Sequence, residues 1–179
     1  MNFTESEVSP GQQAREAITS GTDLVLASGG DGTVSAVAEA VMQTDLPLGV
    51  IPRGTANAFS VALGIPTNLR AACETILAGT TRQVDVATCN GLPMVLLGGI
   101  GFEAETVERA NREMKNRFGV LAYLVAGMQQ IADQEAFEAD IEINGEINKF
   151  ECSGITVANA APPTSVLAQG FGEVITDDG

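Results

Sequence analysis

Two short segments hold the residues best suited to chemistry: Gly29-Gly30-Asp31-Gly32-Thr33 and, further along, Pro52-Arg53-Gly54-Thr55-Ala56-Asn57. The first joins an apolar run, residues 23–28 (DLVLAS), to a segment in which Val34, Val37, Ala38 and Val41 recur at i, i+3, i+4 and i+7. That pattern describes a strand running directly into a helix with one apolar stripe. The first turn of such a helix offers unpaired backbone N–H groups and a partial positive charge, and glycines let an anion approach the backbone closely. The junction therefore suits phosphate, against the plainer alternative of a tight strand-to-helix turn that holds nothing. Two other glycine loops are excluded. Ser35 stands where GxGxxG needs its third glycine, and no GxxxxGK[ST] occurs, so neither a hydride-transfer Rossmann loop nor a P-loop fits.

The elements that must position these residues are legible from period and punctuation. Ser9-Pro10-Gly11-Gln12 reads as a capping box with Pro at the first helical position, and Gly21 closes that helix. Residues 23–28 and 47–51 (PLGVI) read as strands, the first of them suited to cover on both faces. Short helices are expected over 56–63 and over 68–78, the latter stopped by Gly79. Strand, helix, strand implies parallel pairing. From about residue 80 the period becomes twofold. Phe137, Ala139, Ile141 and Ile143 alternate with Glu138, Asp140, Glu142 and Asn144, as in a strand with one core face and one acidic face in water. Asn144-Gly145 and Asn90-Gly91 read as hairpin turns, the latter between runs 82–89 and 93–98. A helical insertion is expected over about 103–131, a further strand over 154–158, and an irregular stretch after it.

With 179 residues, 45% of them apolar, the chain can form one ample domain or two small ones at roughly 100–200 residues per domain. Nine basic against 23 acidic side chains give a net charge of −14, which argues against a nucleic-acid partner. There is no histidine, so catalysis by an imidazole and Cys/His metal sites are excluded. Cys73, Cys89 and Cys152 are scattered and are expected as reduced, partly buried thiols. No uncharged run is long enough to span a bilayer and no basic-then-apolar leader opens the chain, so a cytoplasmic protein without a transmembrane segment is expected.

Both glycine segments together resemble the diacylglycerol kinase catalytic-domain family, which includes the soluble bacterial lipid kinases and the sphingosine and ceramide kinases. The segments Gly99-Ile100-Gly101-Phe102-Glu103-Ala104, Thr156-Val157-Ala158-Asn159 and Thr176-Asp177-Asp178-Gly179 resemble further family landmarks in the same order. NAD kinases and phosphofructokinases resemble the chain at GGDGT alone. The resemblance implies an α/β plus mainly-β protein: a three-layer α/β nucleotide-binding domain of NAD kinase and phosphofructokinase type over residues 1–80, and an antiparallel β lipid-binding domain with a helical insertion over 81–179. It implies ATP and Mg²⁺ as cofactors and a lipid substrate met at a membrane surface, with homodimerisation left open. Gly29, Gly30, Asp31, Gly32, Thr33 and Thr55 would face the nucleotide, with Asp31 as the catalytic carboxylate near Mg²⁺. A carboxylate there makes physical sense, because phosphoryl transfer is chiefly positioning and charge neutralisation. Asp178 would belong to a structural Mg²⁺ loop, the alternative being an exposed acidic turn.

Three departures qualify that reading. Ala58 follows the Asn of the second motif where many members carry Asp, as in the sphingosine and ceramide kinase branch. Nothing in residues 1–10 resembles the family's first strand and its Asn-Pro phosphate loop, and the Asp-Gly-Glu segment that supplies the general base is absent up to residue 179. A fragment is expected, incomplete at both ends and inactive by itself, with the base beyond residue 179. The resulting expectation is a kinase for a lipid hydroxyl, diacylglycerol first and a sphingoid base or ceramide second. A non-catalytic nucleotide- or lipid-binding protein and an NAD kinase-like enzyme are the alternatives. Residues 118–128 (FGVLAYLVAGM) read as a buried helix before they read as a lipid contact, and Arg109, Arg112, Lys115 and Arg117 as a solvated face before a head-group site.

Overall fold

The computed structural model describes residues 8–101 and 136–160. Among these, residues 8–97 and 158–160 form one compact unit, and residues 98–101 and 136–157 a second. Residues 81–97, which follow the change of period, lie in the first.

In the first unit, β1 (Val25–Gly29) and β2 (Leu48–Pro52) pair in parallel, with Val25 opposite Leu48 and Gly29 opposite Pro52. Between them runs α2 (Asp31–Val41), and α1 (Pro10–Thr19) packs against α2. One face of the strand pair carries Val25, Ala27 and Val50. These are buried with Val34, Val37, Ala38 and Val41, the whole stripe read from the helical period. On the other face, Gly49 lies beside Leu26, and a Cβ at Gly49 would come within 3.3 Å of Ile76 in α4 (Leu69–Leu77). Helices thus lie on both faces of a mixed α/β unit. The expectation that the first strand is covered on both faces holds for one only: α4 packs over β2, and Leu26 on the neighbouring strand stays 47% exposed.

Ser9 caps α1, its Oγ accepting from the Gln12 N–H at 3.2 Å. Only half of the capping box forms, because the Gln12 side chain donates to Glu16 at 3.1 Å instead of turning back to Ser9. Asn68 caps α4 through the N–H groups of Arg70 and Ala71.

The Asn90-Gly91 turn joins β3 (Ala87–Cys89) to β4 (Leu92–Met94), both turn residues having positive φ as a two-residue hairpin requires. These strands are shorter than the runs 82–89 and 93–98, and one residue explains the difference. Asn159 Nδ2 donates to the carbonyls of Asp85 at 2.7 Å and Val95 at 3.2 Å, and its Oδ1 accepts from the Ala87 N–H at 3.1 Å. The N–H groups of Asn159 and Ala160 both donate to the Leu96 carbonyl. Backbone groups that a longer ladder would have paired are thus taken by one side chain and two amides. Removing that side chain takes one hydrogen bond from each of three part-buried backbone groups, a loss of about 1 kcal/mol apiece. Asn159→Ala is therefore expected to lower stability by about 2–3 kcal/mol, read as an earlier urea midpoint at unchanged slope; an unchanged midpoint would show the three bonds to be dispensable.

In the second unit, β6 (Phe137–Ile143) and β7 (Glu146–Cys152) form an antiparallel hairpin over Asn144-Gly145, and β5 (Leu97–Gly101, from Gly98 on in this unit) pairs with β8 (Gly154–Ala158, up to Val157 in this unit). Phe137, Ala139 and Ile141 are half-buried while Glu138, Asp140 and Glu142 are exposed, as the alternation requires. Ile143, expected on the core face, sits next to the turn and is 54% exposed. Cys73 and Cys152 are half-buried and unpaired as expected, but Cys89, at the end of its short strand, is exposed. The helical insertion, residues 118–128, the basic group 109–117 and Asp178 lie outside the described residues. Among the described residues no helix is long and apolar enough to cross a membrane.

Candidate functional site: two glycine loops at the carboxyl ends of paired strands

Parallel pairing brings the carboxyl ends of β1 and β2 side by side, and with them the two glycine segments. The Arg53 N–H donates to the Gly29 carbonyl at 2.8 Å, one bond past the last strand pair. Just beyond, the loops touch backbone to backbone. A Cβ at Gly54 would lie 2.6 Å from the Gly30 Cα, and one at Gly30 would lie 3.1 Å from the Gly54 Cα. Gly30 has φ −88°, open to any residue, so close approach and not dihedral freedom requires glycine at this pair.

Gly30 is also the N-cap of α2 and places no side-chain bond on the helix end. Its carbonyl accepts from the N–H groups of Thr33 and Val34, both at 3.0 Å, which starts the helix while leaving the earlier amides at its mouth. Thr33 folds back over Gly29, where an added Cβ would lie 2.6 Å from the Thr33 Oγ1. Gly32 differs from both neighbours: it is exposed, and a Cβ there would meet no atom within 4 Å. Packing within the protein therefore accounts for Gly29 but not for Gly32. Gly32→Ala is expected to leave thermal stability equal or slightly raised, since Ala is favoured over Gly in a helix by roughly 0.5–1 kcal/mol. It should weaken nucleotide binding about 10-fold in calorimetry; unchanged affinity would clear Gly32 of ligand contact.

Asp31 occupies the first turn of α2, half-buried, and its Oδ1 accepts from the Phe59 N–H at 3.1 Å. Phe59 lies in the first turn of α3 (Ala58–Ala62), so one carboxylate meets the amino-terminal ends of two helices. Ahead of α3, Asn57 adopts the left-handed conformation (φ 48°, ψ 43°). Its Oδ1 accepts from the Gly54 N–H at 2.7 Å and its Nδ2 donates to the Gly54 carbonyl at 2.9 Å, closing the second loop on itself. Thr55 is exposed within that closed loop. Gly29, Gly30, Asp31, Gly32 and Thr33 thus come together with the loop that carries Thr55, whereas Asp178 lies outside the described residues. Among the described residues no group of three or more carboxylates or thiols could hold a metal ion by itself. Asn57 and the Phe59 amide were not singled out from sequence. The available signal was that Asn tolerates the left-handed region and bonds its local backbone.

Residues 2–89 match the family of the diacylglycerol kinase catalytic domain. The diacylglycerol kinase of Bacillus subtilis (strain 168) is 35% identical over 77% of this chain and 46% of its own length. Just under half of the chain matches the diacylglycerol kinase catalytic-domain family. The uncharacterized protein sll0036 of Synechocystis sp. is 56% identical over 100% of this chain and 44% of its own length. A crystal structure of a diacylglycerol kinase from Bacillus anthracis str. Sterne superposes with a TM-score of 0.68 and 28% identity, covering 89% of this chain and 52% of that one. A second structure from that organism gives a TM-score of 0.74 with 29% identity over 88% of this chain. The chain spans about half the length of the curated relatives it matches. Within the family fold, the touching glycine loops lie in the segment that the family match covers.

Proposed function

We propose that the protein is an ATP- and Mg²⁺-dependent lipid kinase that transfers the γ-phosphoryl group to a lipid hydroxyl, diacylglycerol in the first place and a sphingoid base or ceramide in the second. The observation that carries the reading is the convergence of two glycine loops on the open amino-terminal end of α2, with a single carboxylate between them. The match to a kinase family and the names of the relatives support phosphoryl transfer to lipid.

In this reading the amides at the start of α2 bind phosphate oxygens, Gly32 gives them room, and Thr33 and Thr55 contribute hydroxyls from the two loops. Mg²⁺ binds reluctantly to all-protein cages and keeps several waters, taking one or two carboxylates together with substrate phosphates. Asp31 fits that demand: Oδ1 is engaged by α3, and Oδ2 has no bond among the described residues. Bound there, Mg²⁺ would neutralise charge on the phosphate oxygens. Asp31 holds its carboxylate fixed beside the phosphate site, so little reorganisation is needed as charge shifts during transfer. The lipid hydroxyl must also lose a proton, and a carboxylate is its acceptor in this reading.

The test is to incubate the full-length protein with γ-labelled MgATP and, separately, diacylglycerol, sphingosine, ceramide and NAD. Label in one lipid supports the reading and names the substrate. Label in NAD alone, or nucleotide binding with no labelled product, would overturn it.

A further inference from the structure

We propose that Asn57 is a positioning residue that acts through Asp31, so that the second glycine loop aims the metal-side carboxylate of the first. The inference rests on the kinase reading above and adds to it a part for a residue to which that reading gives no contact with phosphate or metal.

The argument follows a closed chain of contacts. Asn57 holds the Gly54 N–H and carbonyl with its own Oδ1 and Nδ2 at 2.7 and 2.9 Å. Gly54, so held, lies on the Gly30 backbone, where a Cβ on Gly54 would come within 2.6 Å of the Gly30 Cα. Gly30 is the N-cap of α2, and the next residue is Asp31. From the other side, the Asn57 carbonyl accepts from the Val61 N–H, starting α3, and the Phe59 N–H of that helix holds Asp31 Oδ1. Asn57 therefore fixes Asp31 at two points: through Gly54 and Gly30 it sets the backbone, and through α3 it sets the carboxylate rotamer. With Oδ1 committed to α3, the direction of Oδ2 follows from where α3 begins. That point is decided by the left-handed turn at Asn57, a conformation most side chains avoid and Asn tolerates. Ala58, the first residue of α3, has no polar side chain that could share this work.

Loosening the clasp should therefore be felt mainly through Asp31. The experiment is a double-mutant cycle in the full-length protein with Asn57→Gly, Asp31→Asn and the pair. Glycine keeps the left-handed conformation without strain while deleting both side-chain bonds. Asn at position 31 keeps an oxygen for the Phe59 amide while removing the charge. The readouts are calorimetric affinity for ATP with and without Mg²⁺ and the thermal midpoint without ligand. Asn57→Gly is expected to weaken Mg²⁺-dependent ATP binding about 10-fold when Asp31 is present, and less than about 2-fold when position 31 is Asn. The Mg²⁺-free affinity should move far less. Equal losses in both backgrounds would reduce Asn57 to a loop staple and overturn the inference, as would a loss that tracks the thermal midpoint and ignores Mg²⁺. A parent protein that binds no MgATP at all would overturn the kinase reading itself, and this inference with it.

Discussion

Asp31→Asn in the full-length protein is expected to cut turnover by about 100-fold or more while moving the thermal midpoint by less than about 2 °C. Substitution by Asn keeps a side-chain oxygen where the Phe59 N–H donates at 3.1 Å, so the bridge from α2 to α3 survives. What disappears is one negative charge at a place where phosphoryl transfer depends on charge held in position. Asp31→Ala separates the two contributions. It removes the bridge as well, and the orphaned amide should add about 1 kcal/mol of destabilisation that Asn does not cause. Steady-state kinetics and thermal unfolding on both variants decide the matter. Turnover equal to that of the parent in Asp31→Asn would remove Asp31 from the mechanism. An Asn variant as destabilised as the Ala variant would mean that its bond to α3 needs the charge.

Gly54→Ala should damage both fold and function. The new methyl would sit 2.6 Å from the Gly30 Cα and 2.9 Å from Asn57 Oδ1, and the first of these is backbone that cannot swing aside. Relief requires the loops to separate, at a cost of about 1–3 kcal/mol for overpacking a fitted contact. Separation by even a fraction of an ångström displaces the helix mouth relative to the second loop, and misplacement of about 1 Å can cost 100-fold in a positioned reaction. An earlier denaturation midpoint with about 100-fold weaker nucleotide binding is expected. The contrast with Gly32→Ala is the informative part, because that glycine faces open space and its substitution should spare the fold. If both alanine variants bind nucleotide as the parent does, the loops are packing devices and phosphate is held elsewhere.

Much of the arrangement was legible beforehand because it is written in local repeats. The i, i+3, i+4, i+7 stripe of Val34, Val37, Ala38 and Val41 is buried to the last residue, and both Asn-Gly pairs turn hairpins with positive φ at each position. Ser9 caps the helix it precedes. Each of these rests on side-chain spacing or on one residue's backbone preference, both properties of a few consecutive residues. The failures are as instructive. Covering Leu26 required a partner on the far face of β1, which composition alone could not supply, and the runs 82–89 and 93–98 were cut short by an asparagine at position 159.

The sequence by itself determined the strand-to-helix junction at GGDGT and the parallel pairing that follows from strand, helix, strand. Tertiary structure alone decided that Gly30 and Gly54 share one contact, that Asp31 reaches across 28 positions to the Phe59 amide, and that Asn159 bonds groups 64 to 74 positions away. The physical reason is the range of the forces concerned. Helical and strand periods repeat within a few residues and leave a pattern along the chain, whereas a hydrogen bond or a backbone contact acts over about 3 Å and leaves no mark on the sequence between its ends until the fold has brought them together.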